Sequence, residues 1–293
     1  MTVPADIVRR SFLARVGRGC VPPSGRIGYG AALRVQGRPA HRSAPPDPEL
    51  VTAVLRRAVA LGAVLIDTAD SYGPTLSEAL VAGALHPYPS HLVVATKGGV
   101  VRQGPNTTRL NGRPAHLRAA CEASLRRLRV DAIGLYQLHW PDPAVPFADQ
   151  VGALADLRAA GKIIEVGLCN ITVEQLVAAS RIVPVAAVQG RFSPDIPEGG
   201  ELVATCAKLG IAFLAHGSLS GLRGHAAPPV DITTRHPRAT PAQTALARVL
   251  RRAPHSIVIP GTLDPAHLEE NMAAPFIATA GLDLPRRSGP SDP

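Results

Sequence analysis

Four residues with complementary chemistry fall at or just beyond the ends of three short apolar runs. Asp67 closes residues 64–67 and Tyr72 follows shortly after, Lys97 follows residues 92–96, and His139 follows residues 133–138. Adding a hydride to a carbonyl leaves a developing alkoxide that needs a proton from a neutral donor. A phenol serves if its pKa is lowered. A buried ammonium beside it favours the phenolate, and a carboxylate paired with that ammonium keeps it charged and oriented. The imidazole would donate to the carbonyl oxygen or position it. Taken singly, an Asp at a strand end is commonly a helix cap, a Tyr near a barrel mouth packing, and a His a satisfied structural group; it is their joint placement that points to catalysis. Of 31 basic side chains only Lys97, Lys162 and Lys208 are lysine. Where arginine is the default, a lysine ending an apolar strand suggests chemistry that requires an ammonium.

The elements that must hold these residues are legible in the pattern. Short β-rich runs near 26–30, 64–67, 92–96, 133–138, 164–168, 186–189, 212–215 and 257–259 alternate with helical stretches near 48–61, 74–85, 114–129, 146–160, 173–180, 200–209, 241–252 and 265–273. Alternation of this kind specifies a parallel sheet with crossover helices. Eight units predict an α/β fold of the (β/α)8 TIM-barrel type, rather than an open doubly wound sheet. The strands read as continuous apolar runs because both faces would be buried. Several helices open with proline in the first turn, where its missing N–H costs nothing. Residues 1–280 are expected to form one barrel domain and the Pro-, Arg- and Ser-rich 281–293 a disordered tail. Residues 33–48 and 98–113 are long loops after strands one and three, on the face where barrels place their active sites.

Composition narrows the function classes. With 46% apolar residues in 293 there is ample core material, and no run of about 18 uncharged apolar residues could span a bilayer. The N-terminal 19 residues lack the continuous apolar stretch of a secretory signal, so a cytoplasmic protein is expected. A net charge of +9 suggests nucleic acid, but the basic residues are dispersed and an aromatic content of 3% leaves few stacking platforms. Cys20, Cys121, Cys169 and Cys206 lie far apart without a CxxC pair, which argues for reduced thiols and against a zinc site. No metal, nucleic-acid or membrane partner is expected.

The motifs resemble those of the aldo-keto reductases over nearly the whole barrel. The stretch from Ile66 to Gly73 is similar to that family's first signature, Ala95-Thr96-Lys97 to its lysine strand, and Tyr136-Gln137-Leu138-His139 to its histidine strand. Val166 to Asn170, Ala187-Val188-Gln189, Ile259 to Thr262 and His267 to Asn271 continue the match, and the closest look is to bacterial pyridoxal or pyridoxine 4-dehydrogenase-like members. The resemblance implies NADP(H) as cofactor. It implies Asn170 and Gln189 at the nicotinamide carboxamide, Gly217 and Leu219 at the pyrophosphate, Thr262 and His267 at the 2′-phosphate, and Glu270 and Asn271 at the adenine. Four positions depart from the family: Cys169 stands for a serine, His216 for an aromatic residue that stacks on the nicotinamide, Gly261 for a lysine and His267 for an arginine. The last two weaken cations that would pair with phosphate. Trp140 and Phe192 are expected to wall the substrate pocket, since the chain after Asn271 offers little to close it. The function implied is interconversion of a small aldehyde or ketone with its alcohol, Tyr72 being the general acid/base. The alternatives are a nucleotide-sensing subunit resembling potassium-channel β subunits, or a tailoring reductase acting on a biosynthetic intermediate.

Overall fold

A computed structural model describes residues 12–33, 46–73, 76–104, 107–193, 199–219 and 236–279. Its parallel strands are β1 (Tyr29–Gly30), β2 (Leu65–Asp67), β3 (Val93–Gly98), β6 (Ile133–Leu138), β7 (Ile163–Cys169), β8 (Val185–Arg191), β9 (Ala212–His216) and β10 (Ser256–Val258), paired in that order. The ring closes between its first and last members. Ile27 bridges Val258, Gly28 N–H donates to the Val258 carbonyl at 2.8 Å, and Gly30 N–H donates to the Pro260 carbonyl at 3.0 Å. The expected (β/α)8 barrel is therefore the observed one. Strands β2, β3, β6 and β7 are buried at every position, as strands covered on both faces must be.

The outer layer is built from α1 (Pro48–Ala60), α2 (Leu76–Leu85), α3 (Pro114–Leu128), α4 (Phe147–Ala159), α5 (Val173–Ser180), α6 (Gly200–Leu209), α7 (Pro241–Arg252) and α8 (Pro265–Thr279). Their starts follow local chemistry. The Asp47 carboxylate accepts Glu49 N–H ahead of Pro48, and Thr172 with Gln175, like Thr240 with Gln243, forms a reciprocal capping box. Inside the ring, Leu65, Val93, Leu135, Leu214 and Ile257 cluster with Leu13 and Val16 of the helical segment 12–17. That segment plugs the N-terminal mouth beside Gly210. A Cβ at Gly17 would lie 2.1 Å from the Gly210 carbonyl oxygen, so only glycine permits this approach. With that mouth sealed, the C-terminal mouth is the open one.

Three expectations are corrected. Helix α8 runs to Thr279 through Pro275 rather than stopping at 273, because Met272, Ala274, Ile277 and Ala278 are buried and their packing outweighs the lost hydrogen bond. The stretch 98–113 is not an irregular loop: β4 (Val100–Arg102) and β5 (Thr108–Leu110) pair antiparallel within it. Strand one is shorter than 26–30, since Arg26 turns inward as a strut. Residues 34–45 of the first long loop, Pro74 and the tail 281–293 lie outside the described residues.

Arg26 is 2% exposed, and its guanidinium donates to the carbonyls of Leu250 (2.8 Å), Ala253 (3.0 Å) and Ser256 (3.1 Å). It thus ties the start of the first strand to the C-terminal end of α7, where the helix dipole favours a cation. Replacing Arg26 with leucine orphans those carbonyls and is expected to cost about 3 kcal/mol of stability, read as a lowered urea midpoint with the m-value retained.

Candidate active site

The open mouth is organised around one buried ion pair. Lys97 Nζ, wholly buried at the end of β3, donates to Asp67 Oδ2 at 2.7 Å and to the Thr68 carbonyl at 2.8 Å, and stands 3.5 Å from the Tyr72 hydroxyl. The other carboxylate oxygen accepts amide hydrogens from Gln189 Nε2 (2.8 Å) and Gln137 Nε2 (3.2 Å). A carboxylate with four lone-pair sites is satisfied by this set. The arrangement leaves Gln137 Oε1 buried without a partner. Its amide is turned to serve Asp67 at its own expense.

Tyr72 reaches Lys97 from a turn that the sheet pins down. Asp70 N–H donates to the Lys97 carbonyl (3.2 Å), Tyr72 N–H to the Ala69 carbonyl (3.2 Å), and the Thr68 and Ser77 hydroxyls pair at 2.8 Å. The ammonium lies 4.9 Å from the centre of the Tyr72 ring. Here the structure changes the expected electrostatics. Burial pushes the phenol pKa up, and the Lys97 ammonium pulls it down against additional upward pressure from Asp67 and Cys169; the net shift is upward. The protonated phenol is the resident form. Although burial of Lys97 disfavours its charge, the direct contact with the Asp67 carboxylate more than offsets this and holds the ammonium above its ordinary value.

His139 meets Tyr72 edge-on, ring centres 5.7 Å apart, and its Nδ1 is 3.3 Å from Ser71 Oγ. Burial, reinforced by the nearby Lys97 and His216, lowers its pKa to about 3, so the ring is neutral. Its backbone is held on both sides, by the Gly98 carbonyl (2.9 Å) and by Asn170 Nδ2 donating to its own carbonyl (3.1 Å). Asn170 carries a positive φ of 56°, where asparagine is tolerated better than bulkier residues, and also touches Cys169 Sγ at 3.1 Å. Cys169 in turn stands 3.6 Å from Gln189 Oε1, with its thiol pushed up to about 12 chiefly by burial. His216 ends β9 with its pKa lowered by burial.

A cavity of about 550 Å³ opens over these groups; Tyr72, His139, Asn170, Gln189 and His216 line one end and Gly30, Gly261 and Thr262 the other. The far end is shaped by close backbone approach. A Cβ at Gly261 would lie 2.2 Å from the Gly30 carbonyl oxygen, so the backbones approach here too closely for a side chain without a shift. Tyr29 donates its hydroxyl to the Thr262 carbonyl, fixing the loop that follows β10. Asp264, which sequence reasoning did not weigh, accepts Ala266 N–H (2.8 Å) and His267 N–H (3.2 Å) at the start of α8, and its own N–H donates to Thr262 Oγ1 (3.0 Å). These backbone hydrogen bonds hold its carboxyl below the usual range. His267 is half-exposed, its Nδ1 3.9 Å from Asp264.

Asp67, Tyr72, His139, Trp140, Cys169, Asn170, Gln189, His216, Gly261 and Thr262 thus border one cavity, with Lys97 directly beneath. Gly217, at φ 67°, and the partly buried Leu219 follow β9 but are not in its wall. Glu270 and the buried Asn271 lie further along α8. Phe192 does not wall the pocket: it is 5% exposed and packs edge-on against Phe213, because the chain turns inward after Arg191. Gln137, Ser71 and Tyr29 were missed. A glutamine inside an otherwise apolar strand was the available signal for the first; the other two are visible only once the chain is folded.

A parallel barrel whose open mouth holds a buried ammonium-carboxylate pair under a phenol and a neutral imidazole is equipped for proton transfer to or from an oxygen. Residues 26–277 match the model of the aldo/keto reductase family. The chain belongs to that family and is an oxidoreductase of it. It is 40% identical over 260 residues to an uncharacterized oxidoreductase of Schizosaccharomyces pombe, covering 88% of this chain and 82% of the relative. It is 34% identical over 256 residues to the pyridoxine 4-dehydrogenase of Escherichia coli, covering 85% and 88%. Among solved structures, an aldo-keto reductase from Klebsiella pneumoniae in complex with NADPH superposes with a TM-score of 0.70 at 26% identity over 87% of each chain. The glycerol dehydrogenase of Gluconobacter oxydans gives 0.66 at 26% identity over 90% and 94%.

The neutral His139 has a consequence for stability. Its pKa is about 3 folded against 6.5 in its ordinary state, so between these values the unfolded chain binds the extra proton. Stability is expected to fall as pH drops from 6.5 toward 3, with this group contributing roughly 1.4 kcal/mol per pH unit. Urea unfolding across that range should show a correspondingly shallower slope for His139→Gln.

Proposed function

We propose that the protein interconverts a small aldehyde or ketone with its alcohol, using NADP(H), with Tyr72 as the general acid in reduction and the general base in oxidation. The observation that carries this reading is the 3.5 Å approach of Lys97 Nζ to the Tyr72 hydroxyl above a fully compensated Asp67. In the reducing direction the phenol gives its proton to the carbonyl oxygen as that oxygen gains charge, and Lys97 stabilises the phenolate left behind. Asp67 holds the ammonium in place and charged. If the Ser71 hydroxyl donates to Nδ1 of His139, the imidazole carries its proton on Nε2, the nitrogen free to donate to the same carbonyl oxygen. The Tyr72 phenol is protonated at neutral pH and so holds the proton that reduction requires.

The cavity suits a dinucleotide. When bound, the nicotinamide supplies or accepts the hydride. Asn170 and Gln189 line the cavity with Tyr72 and carry amide groups suited to the carboxamide, and His216 offers a flat neutral ring. Gly217 and Leu219 stand after β9 for the pyrophosphate, Thr262 and His267 for the 2′-phosphate, and Glu270 with Asn271 for the adenine. NADP(H) is favoured by the Klebsiella pneumoniae neighbour, which was solved with NADPH. Asp264 works against a 2′-phosphate, because its carboxylate already occupies the backbone N–H groups at the start of α8.

Tyr72→Phe is expected to lower kcat for aldehyde reduction by about 10²–10⁴-fold while leaving cofactor affinity near the wild-type value. Stopped-flow reduction and a fluorescence titration of NADPH measure the two quantities. Near-normal turnover by this variant would overturn the assignment; tight cofactor binding with no turnover on an aldehyde panel that includes pyridoxal would replace it with the nucleotide-sensing reading. Asp264→Asn is expected to tighten NADPH by roughly threefold and leave NADH unaltered, as removal of one exposed like charge would do, and the same titration with both cofactors reads the ratio.

A further inference from the structure

We propose that Asp70 is a positioning residue for Tyr72 that works as a neutral acid. While its carboxyl keeps its proton, the turn holds the phenol at Lys97; when the proton leaves, repulsion from Glu78 displaces the turn and turnover is lost. This role rests on the Tyr72 reading above and adds to it a pH gate outside the catalytic groups. Asp67 and Tyr72 border the cavity. Asp70, between them in the chain, instead meets the charges of Glu78 on α2 and Arg127 on α3. Its backbone N–H donates to the Lys97 carbonyl at 3.2 Å, so the residue that anchors the turn on β3 is the one whose carboxyl enters this second group of charges.

That group holds two carboxyls and one guanidinium. Glu78 is wholly buried and engaged at both oxygens, Oε1 accepting the Thr96 hydroxyl and Oε2 the Arg127 Nε–H, each at 2.6 Å. Arg127 also donates from Nη2 to Ser124 Oγ at 3.2 Å. Lys97 projects from the opposite face of β3 to Thr96 and is committed to Asp67. The Asp70 carboxyl accepts the Ser71 N–H, but its Oδ1 is buried and has no hydrogen-bond partner. An ionised carboxylate there would set a second negative charge near Glu78 with a bare oxygen out of water; a protonated one removes that charge. Burial and Glu78 accordingly push the Asp70 carboxyl up to about 7, against the pull of Arg127, the Ser71 N–H and Lys97. The remaining titratable neighbours, Tyr136 on β6 and Cys121 on α3, are kept neutral chiefly by burial.

Ionisation drives the Asp70 carboxylate away from Glu78, and Ser71 and Tyr72 follow because they are next in the chain. Three contacts then go together: the Tyr72 hydroxyl with Lys97 Nζ at 3.5 Å, the Tyr72 ring edge-on to His139, and Ser71 Oγ with His139 Nδ1 at 3.3 Å.

Single-turnover reduction of an aldehyde by NADPH, followed from about pH 6 to about pH 8.5, is expected to slow above pH 7 by about tenfold per unit, the limit for loss of one proton. Tyr72 itself stays protonated across that range. Asp70→Asn cannot ionise and should show no such break, whereas loss of a merely structural contact would scale the rate equally at every pH. Two readouts on the wild-type protein need neither turnover nor a folded variant. With 13C in the Asp carboxyls and Tyr Cζ atoms, assigned through the backbone, the Asp70 signal should titrate with a midpoint of about 7 and the Tyr72 signal should step at the same midpoint. A carboxyl midpoint at the ordinary 3.8, a Tyr72 signal that stays still through the Asp70 titration, or a wild-type break retained in Asp70→Asn would each overturn this inference and leave the reductase reading standing. Near-normal turnover by Tyr72→Phe would overturn that reading without moving the Asp70 midpoint.

Discussion

The structure of the active mouth depends on keeping one ion pair, Lys97 with Asp67, charged and out of water. Burying such a pair is expensive, and removing either partner would leave an uncompensated charge worth several kcal/mol. The surrounding chain answers that cost group by group. The Thr68 carbonyl takes a second ammonium hydrogen, and two glutamine amides take the carboxylate's free oxygen. Gln137 meets the demand by leaving its own oxygen bare. A core designed only for stability would replace the whole set with hydrocarbon. Its place at the open end of the barrel, 3.5 Å below the Tyr72 hydroxyl, is what the proposed role of that phenol requires.

Barrel closure then sets where a ligand can lie. The helical segment 12–17 fills one mouth, so the pair and its tyrosine face the other. The seam between first and last strands passes through Gly30 and Gly261, whose backbones approach too closely for a side chain. With this approach, a side chain at 261 would require the seam to shift. The carboxylate of Asp264 lies in the segment that follows, bonded to the backbone N–H groups at the start of α8.

Burial governs the protonation states on this face more than any single neighbour does. It keeps His139 and His216 neutral, and it raises Tyr72 and Cys169. The ammonium of Lys97 is the exception, because its carboxylate partner is in direct contact. A site in which the phenol and imidazole are both neutral offers hydrogen-bond donors to an oxygen that gains charge, as the proposed carbonyl reduction requires.

Most of the fold was legible in the sequence. Eight apolar runs with helices between them, opened by Pro48, Pro114 and Pro241 or capped by Thr172 and Thr240, are local signals, and the helices over 173–180, 200–209 and 241–252 fall where the pattern places them. The types and order of Asp67, Tyr72, Lys97 and His139 were equally visible, because polar residues at or just beyond the ends of β-rich runs stand out in the sequence pattern. What the sequence could not decide depends on contacts between residues far apart in the chain. Burial of Phe192 against Phe213, the passage of α8 through Pro275, the glycine seam at 30 and 261, and the upward shift of Tyr72 all follow from how separate elements pack, and packing is a property of the closed ring. The sequence by itself determined which chemistry is present and on which strands. Only the tertiary structure decided how dry the site is and which charges survive there.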